Sequence, residues 1–128
     1  AEFLGTANIF EGRVERLRDG VAEVRCPNVD TPLLLAGIEP LREGVAVTFA
    51  VRPEKIALAH VRPAAGNALA GVVDEIAYKG DVSVVHVRLG DGRRLRVQEA
   101  NVRRDEVAIG RGQSVWLAWQ AESGVVLA

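Results

Sequence analysis

Asn8-Ile9-Phe10-Glu11-Gly12-Arg13-Val14 and Asn67-Ala68-Leu69-Ala70-Gly71-Val72-Val73 share the pattern N-x-[FL]-x-G-x-V. A second pair comes later in the same order. Residues 44–54 (GVAVTFAVRPE) and 112–122 (GQSVWLAWQAE) share G-x-x-V-x-[FL]-A-x-x-x-E. The offsets are 59 and 68 residues, so the second copy carries about nine extra residues between its two ends. Two matches in one order define a duplicated unit, with halves at about 8–62 and 67–127 of a single domain spanning 1–128. A unit of about 60 residues is marginal alone, because too little of its surface is hidden on folding. Two copies sharing one core solve that problem.

Within each copy the pattern is β. Valine occurs twenty times, and β-branched side chains suit a pleated, half-buried surface. Strands are predicted over residues 9–17, 21–26, 33–35, 45–51 and 55–59 in the first half. The second half predicts 69–78, 82–89, 95–98, 115–119 and 125–127. Asp19-Gly20 and Asp91-Gly92 read as tight hairpin turns, since both residue types tolerate positive φ. No window of helical length carries a 3.6-residue apolar stripe, and residues 98–107 read as a loop with one helical turn. Short strands with turn signals every eight to twelve residues predict an all-β tandem barrel of the OB-like kind. The repeated Asn is expected to bond its own local backbone where a strand begins. The repeated Gly is expected at a barrel corner, where a side chain would collide. Phe10 and Phe49 read as core. Trp116 and Trp119 are three apart, so one faces outward, toward a protein interface.

The 128 residues carry 48% apolar and 26% charged side chains, a globular composition. No apolar run approaches the ~20 residues of a membrane-spanning helix. The first twelve residues lack the basic-then-apolar pattern of a signal peptide. Methionine is absent, so the first residue was processed away or the chain is a piece of something longer. Sixteen basic against seventeen acidic residues give a net charge of −1, which argues against a nucleic-acid partner. Arg88, Arg93, Arg94, Arg96, Arg103, Arg104 and Arg111 crowd one stretch, interleaved with acids, and read as a solvated face. Cys26 is the single cysteine. It has no internal disulfide partner, which fits a reducing compartment, and it reads as a buried thiol at a strand end.

Chemistry-bearing patterns are few. There is no G-x-x-x-x-G-K-[ST] loop to cradle phosphates. His60, His86 and Cys26 are scattered and do not predict a zinc site; His86 falls on the face opposite Val85 and Val87. No carboxylates are paired by periodicity, and no catalytic residue, cofactor site or metal site is expected. The most distinctive string is Arg52-Pro53-Glu54, where proline ends the strand for want of an amide donor. Arg52 and Glu54 are candidate contacts for a partner domain.

Taken in order along the chain, Glu2-Phe3-Leu4-Gly5, Asn8, Gly12, Val51-Arg52-Pro53-Glu54, Asn67 to Gly71 and Gly112 to Leu117 resemble one family. It is the C-terminal TOBE (transport-associated OB) domain of bacterial ABC-importer ATPases, most like the spermidine/putrescine group. The resemblance implies a regulatory and dimerisation domain, not an enzyme by itself, preceded by an ATP-hydrolysing domain absent from this chain. It implies ATP and Mg for that missing domain and no cofactor here. It implies as partners the chain's own ATPase domain, a second copy, and membrane permease subunits, at the cytoplasmic face of the bacterial membrane. Asn8 and Gly12 carry over as the point where the ATPase domain leads in, and Arg52, Pro53 and Glu54 as the recurring string. Asn67-x-Leu69-x-Gly71 also resembles molbindin-like oxyanion-binding domains. Those have a Ser-Ala-Arg-Asn run where this chain has Ala64-Ala65-Gly66-Asn67. A stand-alone oxyanion or small-ligand module, and an OB-type nucleic-acid binder, are the alternative functions.

Overall fold

The computed structural model describes residues 6–37, 41–64, 66–100 and 109–127. The strands are β1 (Asn8–Arg18), β2 (Val21–Arg25), β3 (Leu33–Ala36), β4 (Ala46–Val51), β5 (Ala57–Ala59), β6 (Asn67–Lys79), β7 (Val82–Arg88), β8 (Arg94–Ala100), β9 (Ser114–Trp119) and β10 (Gly124–Val126). Two 3-10 turns, Pro53–Lys55 and Ala121–Ser123, precede β5 and β10. The strand expected from Lys55 therefore starts at Ala57, because Pro53 opens a 3-10 turn closed by Ile56 N–H on the Pro53 carbonyl. In the stretch read as a loop with a helical turn, residues 98–100 continue β8. The rest of that stretch, the Arg103 and Arg104 pair, and Glu2 to Gly5 lie outside the described residues.

Both sheets are antiparallel and five-stranded, in the orders β10-β4-β1-β2-β3 and β5-β9-β6-β7-β8. Each takes four strands from one sequence half and the fifth from the other. β5 leaves the first half to pair with β9, and β10 leaves the second to pair with β4. The 3-10 turn ahead of each exchanged strand packs on the far edge of the same sheet: Ala121–Ser123 on β3, and Pro53–Lys55 on β8. Each sheet is thus curled into a small barrel whose gap is plugged by the other half. The two repeats are interlocked, not merely stacked.

Local chemistry sets the corners. Asp19 (φ 54) and Gly20 (φ 78) both sit in the left-handed region, as a two-residue hairpin with right-handed strand twist requires. The second Asp-Gly differs. Only Gly92 (φ 90) is left-handed, and the loop is wider, with Leu89 N–H bonded to the Arg93 carbonyl and Gly92 N–H to the Leu89 carbonyl. Each long hairpin carries an irregularity at equivalent places, between Val14 and Arg16 and between Val73 and Glu75. Such bulges bend a strand and increase its twist.

One apolar cluster runs through both barrels. Phe10 of β1 stacks on Phe49 of β4 at 5.3 Å and on Trp119 of β9 at 5.4 Å between centroids. Trp119 belongs to the opposite sheet, so this aromatic row joins the two. Trp116 lies half-buried on the outer side of the same strand. Cys26 is buried.

Candidate functional site

The repeated asparagines hold the barrels together. Asn8 is buried at the start of β1, and Asn67 at the start of β6. The Asn67 side chain donates to the Leu34 carbonyl at 3.0 Å and accepts from the Leu34 N–H at 2.7 Å. Asn8 does the same to Arg96, donating to its carbonyl and accepting from its N–H, both at 2.8 Å. A carboxamide presents the same donor and acceptor as a peptide unit. Each Asn therefore acts as a one-residue strand on the free edge of the other half. The expected local bond is not what is found: the partners lie 88 and 33 residues away. Local capping leaves an edge strand of the opposite half unsatisfied, and the interlocked topology brings that edge within reach.

The repeated glycines sit where strands close in. A Cβ on Gly12 would meet the Arg25 carbonyl oxygen at 2.4 Å and the Val24 side chain at 2.8 Å. On Gly71 it would meet Val87 at 2.5 Å and the Arg88 carbonyl oxygen at 3.1 Å. Three residues on, at the bulges, the repeat continues with an acid in each half. Glu15 pairs with Arg25 at 3.3 Å, and Asp74 with Arg88 at 2.8 Å. The repeat read from sequence stops one residue short of this match, at Val14 and Val73. The signal was an Asp or Glu at the next position and an Arg ending the next strand.

Pro53 of the Arg52-Pro53-Glu54 string is buried, while Arg52 and Glu54 are exposed. Its counterpart in the second half, Ala121, is buried too. The proline is part of the barrel plug, and the two charges face out. Arg52 and Glu54 sit on the β4-to-β5 connection and not on one strand face, because the chain turns at Pro53. The string begins beside Asn8, which pairs with Val51 and donates its side-chain amide to the Val51 carbonyl at 3.2 Å.

Three arginines of the arginine-rich stretch, Arg88, Arg93 and Arg94, have side-chain partners. Arg94 bridges Asp74 at 3.1 Å and Glu75 at 3.2 Å, beside Arg88. Arg93 donates to the Ile9 carbonyl and lies over the Phe10 ring at 4.9 Å. Burial, aided by Arg94 and Arg96, pushes the His86 imidazole below its ordinary value, against Glu75 and Asp74. Burial pushes the Cys26 thiol up, against Arg93 and Arg25. Burial also raises the Glu99 carboxyl, partly offset by a hydrogen bond from the Leu58 N–H. Among the described residues no group of three or more His, Cys, Asp or Glu could hold a metal, and no helix is long and apolar enough to cross a membrane.

A concavity of about 620 Å³ lies between the barrels. Its walls are the β2–β3 loop with Asp30, the β7–β8 turn with Asp91, and Trp116. Arg62 lies over the Trp116 ring at 5.0 Å. Grooves of about 650 Å³ over Gly12 and about 470 Å³ over Gly71 flank it. Sequence reading missed Arg62, because nothing in the linear pattern joins it to Trp116.

Comparison with known proteins matches residues 49–127 to the TOBE domain. The putrescine transport ATP-binding protein PotG of Escherichia coli is 41% identical over 99% of this chain and 34% of its own length. The spermidine/putrescine import ATP-binding protein PotA of Rubrobacter xylanophilus is 34% identical over 99% of this chain and 33% of its own. The chain thus spans about a third of the length of these relatives. Among solved structures, the cytoplasmic molybdate-binding protein ModG, in a form with molybdate bound, has the same fold. Its TM-score is 0.77 at 20% identity, covering 93% of this chain and 94% of ModG.

Proposed function

This chain belongs to the TOBE domain family, and from that premise we propose that it is the regulatory and dimerisation domain of a polyamine-class ABC-importer ATP-binding subunit. The observation that carries the reading is the match to importer ATP-binding proteins over 99% of this chain at 41% identity. The chain itself catalyses nothing in this reading. An ATPase domain with its phosphate loop, ATP and Mg precedes it, and permease subunits hold the assembly at the cytoplasmic face of the membrane.

The mechanism is conformational. Two copies touch across the ATPase pair and favour one state of its closure, which is coupling through differential contacts. The exposed Arg52 and Glu54, set on a turn whose Pro53 is anchored in the barrel, supply a rigidly held charged contact. Asn8 and Gly12 begin the strand that leads in from the ATPase domain.

The test is a full-length subunit with its permease. Arg52→Ala with Glu54→Ala is expected to change transport-coupled ATP hydrolysis while leaving nucleotide affinity unchanged. An upstream reading frame with no phosphate loop or ABC signature would overturn the proposal. The ModG likeness supports the fold alone. Calorimetry with molybdate and sulfate separates the oxyanion alternative, and heat at micromolar anion would favour it.

A further inference from the structure

We propose that the β7–β8 turn, residues 89–93, is a clamp that couples the cleft between the barrels to the start of β1. The inference rests on the importer reading for its purpose, because β1 is the strand through which a preceding ATPase domain would pull.

The turn has two faces in use. Leu89, Gly90 and Asp91 wall the cleft. Arg93, at its other end, donates to the Ile9 carbonyl and covers the Phe10 ring. Three residues further on, Arg96 holds Asn8 through both of its backbone groups. β2 begins to pair with β1 only at Arg13, so the first residues of β1 lack a β2 partner. β4 pairs with residues 8–13 along one edge, and on the edge that β2 leaves open the second half supplies Arg93 and Arg96.

The turn is also stiff. Leu89 N–H to the Arg93 carbonyl at 2.7 Å, Gly92 N–H to the Leu89 carbonyl at 3.0 Å, and Arg93 N–H to Asp91 Oδ1 at 3.0 Å lace it internally. A unit laced in this way moves as one piece. Whatever pushes Leu89 to Asp91 out of the cleft wall carries Arg93 away from Ile9. Coupling of this kind is reciprocal: a pull on the start of β1 reshapes the cleft. Arg93 reaches the core through the same contact, since Phe10 stacks on Trp119.

The test uses this chain and amide hydrogen exchange at residues 8–10, with residues 47–50 as the internal reference. Arg93→Ala is expected to speed exchange at 8–10 by about tenfold, because a charge-assisted bond is lost. Ala70→Trp places a bulky ring in the cleft against the turn, since Ala70 is exposed there. It is expected to speed exchange at the same three amides, with Ala70→Leu doing so to a lesser degree if the larger ring prevents folding. Val61→Trp, on the exposed connector, is expected to leave them unchanged. The double variant Arg93→Ala/Ala70→Trp is expected to match Arg93→Ala alone, because the route has already been cut. Additive effects, or no change at 8–10 on filling the cleft, would overturn the clamp. Neither result would touch the importer reading, which stands or falls on the upstream frame.

Discussion

The side-chain amide of Asn67 replaces a missing strand for Leu34, accepting from its N–H at 2.7 Å and donating to its carbonyl at 3.0 Å. Asn8 makes the mirror contact with Arg96. Each half thus closes the other's open edge, by side chain and by exchanged strand together. An exposed strand edge is an aggregation hazard, and here it is removed without adding length.

Asn67→Asp is expected to be more damaging than Asn67→Ala at neutral pH. Alanine loses both bonds, at about 1–3 kcal/mol. An ionised aspartate also sets a charge against the Leu34 carbonyl. Its folded pKa is raised, so the native state binds the extra proton. Stability is then recovered as pH falls through that pKa and lost as it rises. Urea denaturation of both variants at pH 4 and pH 7 checks the sign.

Gly12→Ala is expected to cost more than Gly71→Ala. The new Cβ on Gly12 meets a backbone oxygen at 2.4 Å, while that on Gly71 meets the tip of a valine at 2.5 Å. A side-chain tip can shift, whereas a paired strand must be pushed apart. Overpacking costs of about 1–3 kcal/mol are usual, with Gly12→Ala at the upper end. The comparison is a pair of denaturation midpoints in one buffer.

Glu99→Gln is expected to stabilise the domain at neutral pH. Burial raises the Glu99 carboxyl despite the Leu58 N–H. The folded state therefore binds more protons than the unfolded state between the ordinary carboxylate pKa and the raised folded value. Stability falls as pH rises through that window. Glutamine keeps an acceptor for Leu58 and removes the charge. Thermal midpoints of the two proteins are expected to converge as pH falls below the ordinary carboxylate range, and a constant gap would contradict the assignment.

Arg62→Ala is expected to uncover Trp116. Its guanidinium lies 5.0 Å from the ring centroid, an exposed contact worth about 0.5–1 kcal/mol. In a Trp119→Phe background the remaining emission is expected to shift to the red and to quench more readily with acrylamide. Unchanged quenching would mean the stack is not populated in solution.

Much of the scaffold was legible because it is written twice. The N-x-[FL]-x-G-x-V pattern marks both long strands, and Asp19-Gly20 marks a hairpin by its tolerance of positive φ. Phe10 and Phe49 were readable as core, and the two tryptophans as facing opposite ways, from period-two alternation. The 3-10 start at Pro53 was not, since proline announces the end of a ladder but not the conformation of the residues after it. Glu15 with Arg25, and Asp74 with Arg88, were present in the letters but only gained meaning once the bulges placed each acid beside its arginine. Arg62 on Trp116 and Arg93 on Phe10 had no linear signal at all.

The sequence by itself determined the local states and the duplication: alternation sets which side of a strand is buried, and turn residues set where the chain reverses. Only the tertiary structure decided which half completes which sheet. A five-strand unit read along the chain can close on its own last strand or on its twin's, and the two choices have nearly the same local energetics. The exchange of β5 and β10 selects the second, because it gives Asn8 and Asn67 distant backbone edges to satisfy and buries Phe10 against Trp119 in one shared core. That choice made the repeated asparagines, which look like local caps in the sequence, into the fastening between the barrels.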